Sequence, residues 1–405
     1  MPSTLPPGDP APADGSLPDD ALAELGARPF GIYLHVPYCR TRCGYCDFNT
    51  YTAAELGTEP GANRDDYVDA ALTELALADR VLGDRAPAVS TLFVGGGTPT
   101  LLPAGDLVRF VAGVRERFGF ASDAELTTES NPESVGPEGL ETLRAGGFTR
   151  ISFGMQSAVP EVLATLDRVH TPGRAAEVVA QARAAGFAHT SLDLIFGTPG
   201  ESLDDWRRSL EAAVAAGPDH VSAYALIVEP GTRLHTRIRR GELPMPDDDD
   251  LADKYELAEQ VLTEAGYANY EISNWATDPS ARCRHNLLYW TGGDWWGIGP
   301  GAHSHVGGVR WWNVKHPRSY ATRLGGGTSP AQAREQLSAD DRRVERVLLE
   351  LRLADGLDRG VLTARESARV PDFVARGLLT ETADRLVLTA PGRLLADGVI
   401  RDLLD

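Results

Sequence analysis

Between residues 30 and 228, six short runs rich in valine, isoleucine, leucine and phenylalanine alternate with longer stretches of helical spacing. No other feature narrows the choice of fold as much. The runs fall at 31–36, 89–94, 125–130, 150–153, 191–196 and 221–226. Between them apolar residues return three and four positions apart, as at Val68, Leu72 and Leu75, or Leu107, Phe110, Val111 and Val114. That stripe lets an amphipathic helix cover one face of a sheet. Repeated strand and helix units connect through right-handed crossovers into a parallel sheet, and six suffice for a curved, partly closed (β/α)6 barrel. A doubly wound open sheet obeys the same pattern. The expected class is α/β: a partial barrel, a sheet extension, and a small carboxyl-terminal domain that is helical and winged-helix-like.

After Pro230 the alternation weakens. Asp247 to Asp250 read as the solvated start of a helix over 251–265, because carboxylates favour a helix amino end. Stretches 270–275 and 309–314 are further strand candidates around an aromatic, glycine-rich segment. The breakers from Gly325 to Pro330 predict a domain boundary, so the expected units are 1–28, 29–324 and 325–405. The last should hold a helix over 340–353, a hairpin over 378–388 and a final helix opened by Pro391. Residues 1–28 carry six prolines and a single arginine. They lack the basic start and apolar stretch of a signal peptide and read as a disordered lead-in.

Charge and cysteine usage bound the function. A net charge of −19 repels phosphate backbones, so nucleic acid is not an expected partner. No apolar run approaches the roughly 18 residues needed to span a bilayer, so no integral membrane segment is expected. Of four cysteines in 405 residues, three crowd into eight positions, which fits metal chemistry in a reducing cytoplasm better than a disulfide framework.

Those three are Cys39, Cys43 and Cys46, spaced C-x3-C-x2-C directly after the first strand. Three thiolates from one loop can hold three irons of a 4Fe-4S cluster and leave the fourth iron open to a chelating small molecule. The competing reading is a structural zinc knuckle completed by Cys283 or a histidine. Arg40 and Arg42 either balance the thiolates or face solvent. Gly95, Gly96, Gly97 and Thr98 follow the second strand, where glycines let the backbone approach a ligand closely. Asp193 interrupts the apolar fifth strand, as a functional acid or as a buried structural one.

The cysteine loop, with Tyr33, Pro37 and Tyr38 around it, resembles that of the radical S-adenosylmethionine (SAM) superfamily, and the resemblance spans about residues 30 to 320. It implies a 4Fe-4S cluster whose open iron is chelated by the methionine amine and carboxylate of SAM, with cleavage of the sulfonium to a deoxyadenosyl radical. Carried over by matching position, the SAM contacts implied are Tyr33, Tyr45, Gly96, Gly97, Thr98, Glu129, Gln156, Arg168, Asp193, Ala225 and Ala302. The strand-borne ones should gather at the carboxyl ends of successive strands, where (β/α) barrels build their sites.

Within the superfamily the chain resembles the oxygen-independent coproporphyrinogen III oxidase group, which has two branches. The oxidase branch carries a fourth cysteine two residues after the third and an ordered amino-terminal extension; here Phe48 stands at that position. The haem chaperone (HemW) branch carries His-Asn-x-x-Tyr-Trp, matched by His285, Asn286, Tyr289 and Trp290. The resemblance therefore implies haem binding at these four residues, with Cys283, His303 and His305 as competing ligands. Neutral imidazole suits haem iron and aromatic rings suit a porphyrin face, although the same residues could simply satisfy backbone groups and fill core. The implied partners are haem, haem-requiring respiratory proteins as recipients, the inner face of the membrane in transient contact, and a second copy in a homodimer. The alternative activity is oxidative decarboxylation of coproporphyrinogen III.

Overall fold

The computed structural model describes residues 7–57, 63–168 and 171–405. With a short β1 (Asp9–Pro10) counted first, the six expected strands are β2 (Phe30–Val36), β3 (Val89–Gly96), β4 (Phe120–Ser130), β5 (Arg150–Gln156), β6 (His189–Phe196) and β7 (His220–Ala225). They pair in that order, all parallel. Helices such as Tyr67–Leu82 and Ala104–Arg117 bury Val68, Ala71, Leu75, Leu107, Phe110 and Val114 against the outer face. Each large apolar side chain among them contributes about 1.5–3 kcal/mol of burial. β2 and β7 do not pair, so the sheet curls without closing.

Both edges are extended. Beyond β7 lie β9 (Asn274–Ala276) and β8 (Ala268–Asn269); beyond β2 lie β10 (Asp294–Ile298), β11 (His303–Val306), β12 (Val309–Asn313) and β13 (Ala331–Gln336). The aromatic segment, expected only as an interval between strands, thus forms β10 and β11, with β10 parallel to β2. β13 lies past the expected boundary at residue 325 and belongs to the main sheet through β12. The glycine cluster there is a turn after helix Pro317–Gly325, with Gly327 at φ +71°. It turns the chain within the main sheet, and helix Ala339–Glu350 follows β13.

The expectation of a disordered lead-in also needs correction over residues 7–28; residues 1–6 lie outside the described residues. β1 pairs antiparallel with β13, and helix Asp19–Ala23 buries Ala21. Pro10 is tolerated because an edge strand can spare an amide. Glu24 takes both Arg342 guanidinium nitrogens at 2.8 and 2.7 Å, tying the strap to the carboxyl-terminal unit. That unit holds β14 (Leu357–Asp358), β15 (Leu379–Glu381) and β16 (Arg385–Leu388) in the order β14-β16-β15, packed by helices around Leu351, Leu386 and Leu403. Among the described residues no helix is long and apolar enough to cross a membrane.

Candidate functional site

Strand alternation turns every second side chain of β2 to β7 inward, and these line a cavity of about 630 Å³. Cys39, Cys43 and Cys46 stand on its wall at the carboxyl ends. The loop carrying them is pinned at several points. Cys39 N donates to Tyr51 O at 3.0 Å, Gly44 N to Leu166 O at 3.1 Å, and Asn49 Nδ2 to Pro300 O and Lys315 O, both at 2.9 Å. Burial pushes the Cys39 thiol up to about 11 and Cys46 upward as well, so taking up a metal there releases protons. Among the described residues no three His, Cys, Asp or Glu side chains converge on one ion. Cys283, the notional fourth zinc ligand, lies at the amino ends of the strands with Sγ 3.8 Å from Glu125 Oε1.

The glycine turn runs directly beneath Cys39. Gly97 N donates to Val36 O and Thr98 N to Tyr38 O, both at 2.8 Å. A Cβ on Gly97 would stand 2.5 Å from Tyr38 O and 3.0 Å from Cys39 Sγ, so only glycine fits without a shift. Gly96, at φ +113°, donates its amide to Glu129 Oε2 at 3.0 Å. Burial, then the charge of Asp193, push Glu129 up to about 8. Asp193, lifted by burial, accepts from the Ser152 hydroxyl at 2.9 and 2.8 Å. Arg168 places Nη1 3.2 Å from Cys43 Sγ, and Gln156 is held at φ +65°, a strained conformation for a residue with a side chain.

Ten of the eleven expected SAM contacts therefore line one cavity with the cysteines: Tyr33, Tyr45, Gly96, Gly97, Thr98, Glu129, Gln156, Arg168, Asp193 and Ala225. Ala302 does not. It is fully buried in the turn between β10 and β11, its amide 3.1 Å from Gly299 O.

The His-Asn-x-x-Tyr-Trp residues form helix Arg284–Trp290, which plugs the amino end of the barrel. Its first amides are satisfied by Glu125, which accepts from Arg284 N at 3.2 Å and His285 N at 3.1 Å. His285 pairs Nδ1 with Thr91 Oγ1 and Nε2 with the Tyr289 hydroxyl, each at 2.8 Å. It stacks on Phe93 at 5.2 Å, and burial lowers it to about 3, so the ring is neutral. Both nitrogens are engaged, and ligation of iron at Nε2 requires Tyr289 to swing away. Asn286 and Tyr289 also line the cavity; Trp290 does not. His303 and His305 lie on β11, away from the cavity, beside Trp312 and Trp295 respectively.

Thr127, Arg150, Ser191, His220, Ser222 and Asn274 also line the deep end, and no motif singled them out. The signal was available in alternation: the pairs Thr127/Glu129, Arg150/Ser152, Ser191/Asp193 and His220/Ser222 put polar groups at inward positions, where (β/α) barrels are usually filled by branched apolar residues.

Residues 33–213 match the Radical SAM superfamily. The chain is 57% identical over 383 residues to the haem chaperone HemW of Mycobacterium tuberculosis (strain ATCC 25618 / H37Rv), covering 95% of this chain and 97% of that protein. It is 35% identical over 384 residues to the haem chaperone HemW of Escherichia coli (strain K12), covering 92% and 97%. The solved coproporphyrinogen III oxidase (HemN) from Escherichia coli, a radical SAM enzyme, superposes with a TM-score of 0.81 at 25% identity, covering 96% of this chain and 94% of that one. The oxidase shares the architecture, while the chaperones share the sequence over nearly its full length; the chain belongs to the radical SAM superfamily and, within it, to the haem chaperone HemW family.

Proposed function

We propose that this protein binds a 4Fe-4S cluster through Cys39, Cys43 and Cys46, SAM beside it, and haem, and delivers the haem to haem-requiring proteins, respiratory enzymes among them, in the cytoplasm. The observation that carries the cofactor reading is the meeting of three thiols, a glycine turn with no room for a Cβ, and the half-buried carboxyl groups of Glu129 and Asp193 on one cavity. When bound, the cluster supplies reducing power and an iron open to a chelating amino acid. The chain's own groups then have defined tasks. Gly96 and Gly97 bring backbone close to the ligand, Glu129 meets its ammonium group, and Arg168 shields the Cys43 sulfur. Haem would gather at the inner end, where His285, Asn286 and Tyr289 face the cavity.

Membership of the HemW family and the side chain at position 48 favour carriage over decarboxylation. Phe48 stands where the oxidase branch has its fourth cysteine, and it is 52% exposed beside the cluster loop. The overall likeness to the oxidase, at a TM-score of 0.81, makes that activity the second reading to test. Protein reconstituted under anoxic conditions and given coproporphyrinogen III, SAM and reductant is expected to form no protoporphyrinogen IX, and added haem is expected to yield a stable Soret band. Turnover of coproporphyrinogen overturns the assignment, and so does the absence of a haem spectrum.

A further inference from the structure

Four residues form one row across the barrel. Register pairs Tyr33 of β2 with Phe93 of β3, Phe93 with Thr127 of β4, and Thr127 with Arg150 of β5, and all four line the cavity. Residues paired in this way project their side chains from the same face as near neighbours. One half of the row is aromatic and the other polar.

The polar half is incompletely satisfied. Arg150 is 1% exposed, and its Nη1 donates to Ala281 O at 2.7 Å. Among the described residues its Nη2 has no hydrogen-bond partner, and neither has the Thr127 hydroxyl. Arginine keeps its charge at every relevant pH, and a buried cation without an anion is costly. None of the groups around it accepts from Nη2. Burial pushes the Cys283 thiol up to about 12, and burial with the Arg150 charge holds His220 well below its ordinary value, so both are neutral. His220 is also engaged at both nitrogens, by Ser191 and Tyr270, each at 2.8 Å, and burial keeps the Tyr270 phenol protonated. Asp193 feels the Arg150 charge but turns its oxygens to the Ser152 hydroxyl, and Glu125 turns its own to the helix amides.

We propose that Arg150 and Thr127 form a carboxylate subsite at the deep end of the cavity, which takes one propionate of the tetrapyrrole while Tyr33 and Phe93 face its ring. The proposal deepens the haem-binding reading and rests on it. A guanidinium donor next to a hydroxyl donor matches the two oxygens of a carboxylate, and such charge-assisted bonds are the strong ones. Flat aromatic walls suit the macrocycle.

The test compares haem with haem dimethyl ester, whose propionates carry no charge, in Soret titrations of the reconstituted full chain. Wild type is expected to bind the free acid about tenfold more tightly or better. Arg150→Met should abolish that preference, and Thr127→Val should reduce it severalfold. SAM binding and circular dichroism check that Arg150→Met folds; where it does not, Thr127→Val alone decides. Equal binding of acid and ester by wild type, or a preference that survives both substitutions, overturns the subsite and means that Nη2 meets only an ordered water. Absence of a Soret band with either compound overturns the haem-binding reading itself.

Discussion

Gly97→Ala is the most direct test of how the barrel holds its cysteine loop. The added Cβ would lie 2.5 Å from Tyr38 O and 3.0 Å from Cys39 Sγ. A relaxed carbon to oxygen contact is about 3.3 Å, so the turn and the loop must separate by about 0.8 Å. The obstacle is backbone, with no flexible side chain to give way. Tyr38 O also accepts from Thr98 N at 2.8 Å, and a shift of that size stretches the bond beyond the usual range. Cys39 follows Tyr38 directly, so its sulfur moves too, whereas metal to ligand distances tolerate about 0.2 Å. The expected cost in stability is about 1–3 kcal/mol, as for other overpacked cores. Iron per chain after anoxic reconstitution should fall below half of wild type, measured with acid-labile sulfide and a urea unfolding curve. Gly105→Ala is the matched control. Gly105 lies in helix Ala104–Arg117 with nothing among the described residues within 4 Å of its added Cβ, and there the same change should stabilise by about 0.5–1 kcal/mol. Full iron loading and an unchanged urea midpoint in Gly97→Ala would refute the argument.

Serine at Cys39, Cys43 or Cys46 should each abolish the iron chromophore, while Cys283→Ser, altered at the far end of the cavity, should load iron as wild type does. Glu129→Gln should weaken SAM binding at least tenfold by calorimetry with iron content unchanged, because it removes a carboxyl group that can ionise against the ligand ammonium. His285→Gln tests the neutral ring. The folded protein holds His285 near 3 against 6.5 for an ordinary histidine, so the unfolded chain takes up a proton that the folded one refuses, and this residue's stabilisation is lost as pH falls from 6.5 towards 3. The stability difference between wild type and His285→Gln should therefore shrink by about 2 kcal/mol from pH 7.5 to pH 5 in urea titrations. The wild-type profile alone would hide it, since Glu74 and Glu271, raised by burial to about 7, push in the opposite direction. A difference that does not vary with pH would mean the ring is not buried neutral.

Features encoded within a few residues are legible along the chain itself. Period and turn chemistry locate all six strands from β2 to β7, and the spacing of Cys39, Cys43 and Cys46 points to metal chemistry on its own. Asp247 shows the same locality: it caps helix Asp248–Glu264 by accepting from Asp249 N and Asp250 N, each at 3.1 Å. Contacts between distant segments are not legible in this way. Pro10 and Gly327 carry the marks of breakers, yet one lies in an edge strand and the other in a turn within the main domain, because β13 finds β12 on one side and β1 on the other. Ala302 and Trp290 sit inside or beside matched motifs but outside the cavity, whereas Arg150, in no motif, lines it through strand register alone. Spacing along the chain decides which residue types are available and on which face of an element they lie. Which faces then meet is set by burying apolar surface between segments from tens to hundreds of residues apart, and only the folded sheet expresses that.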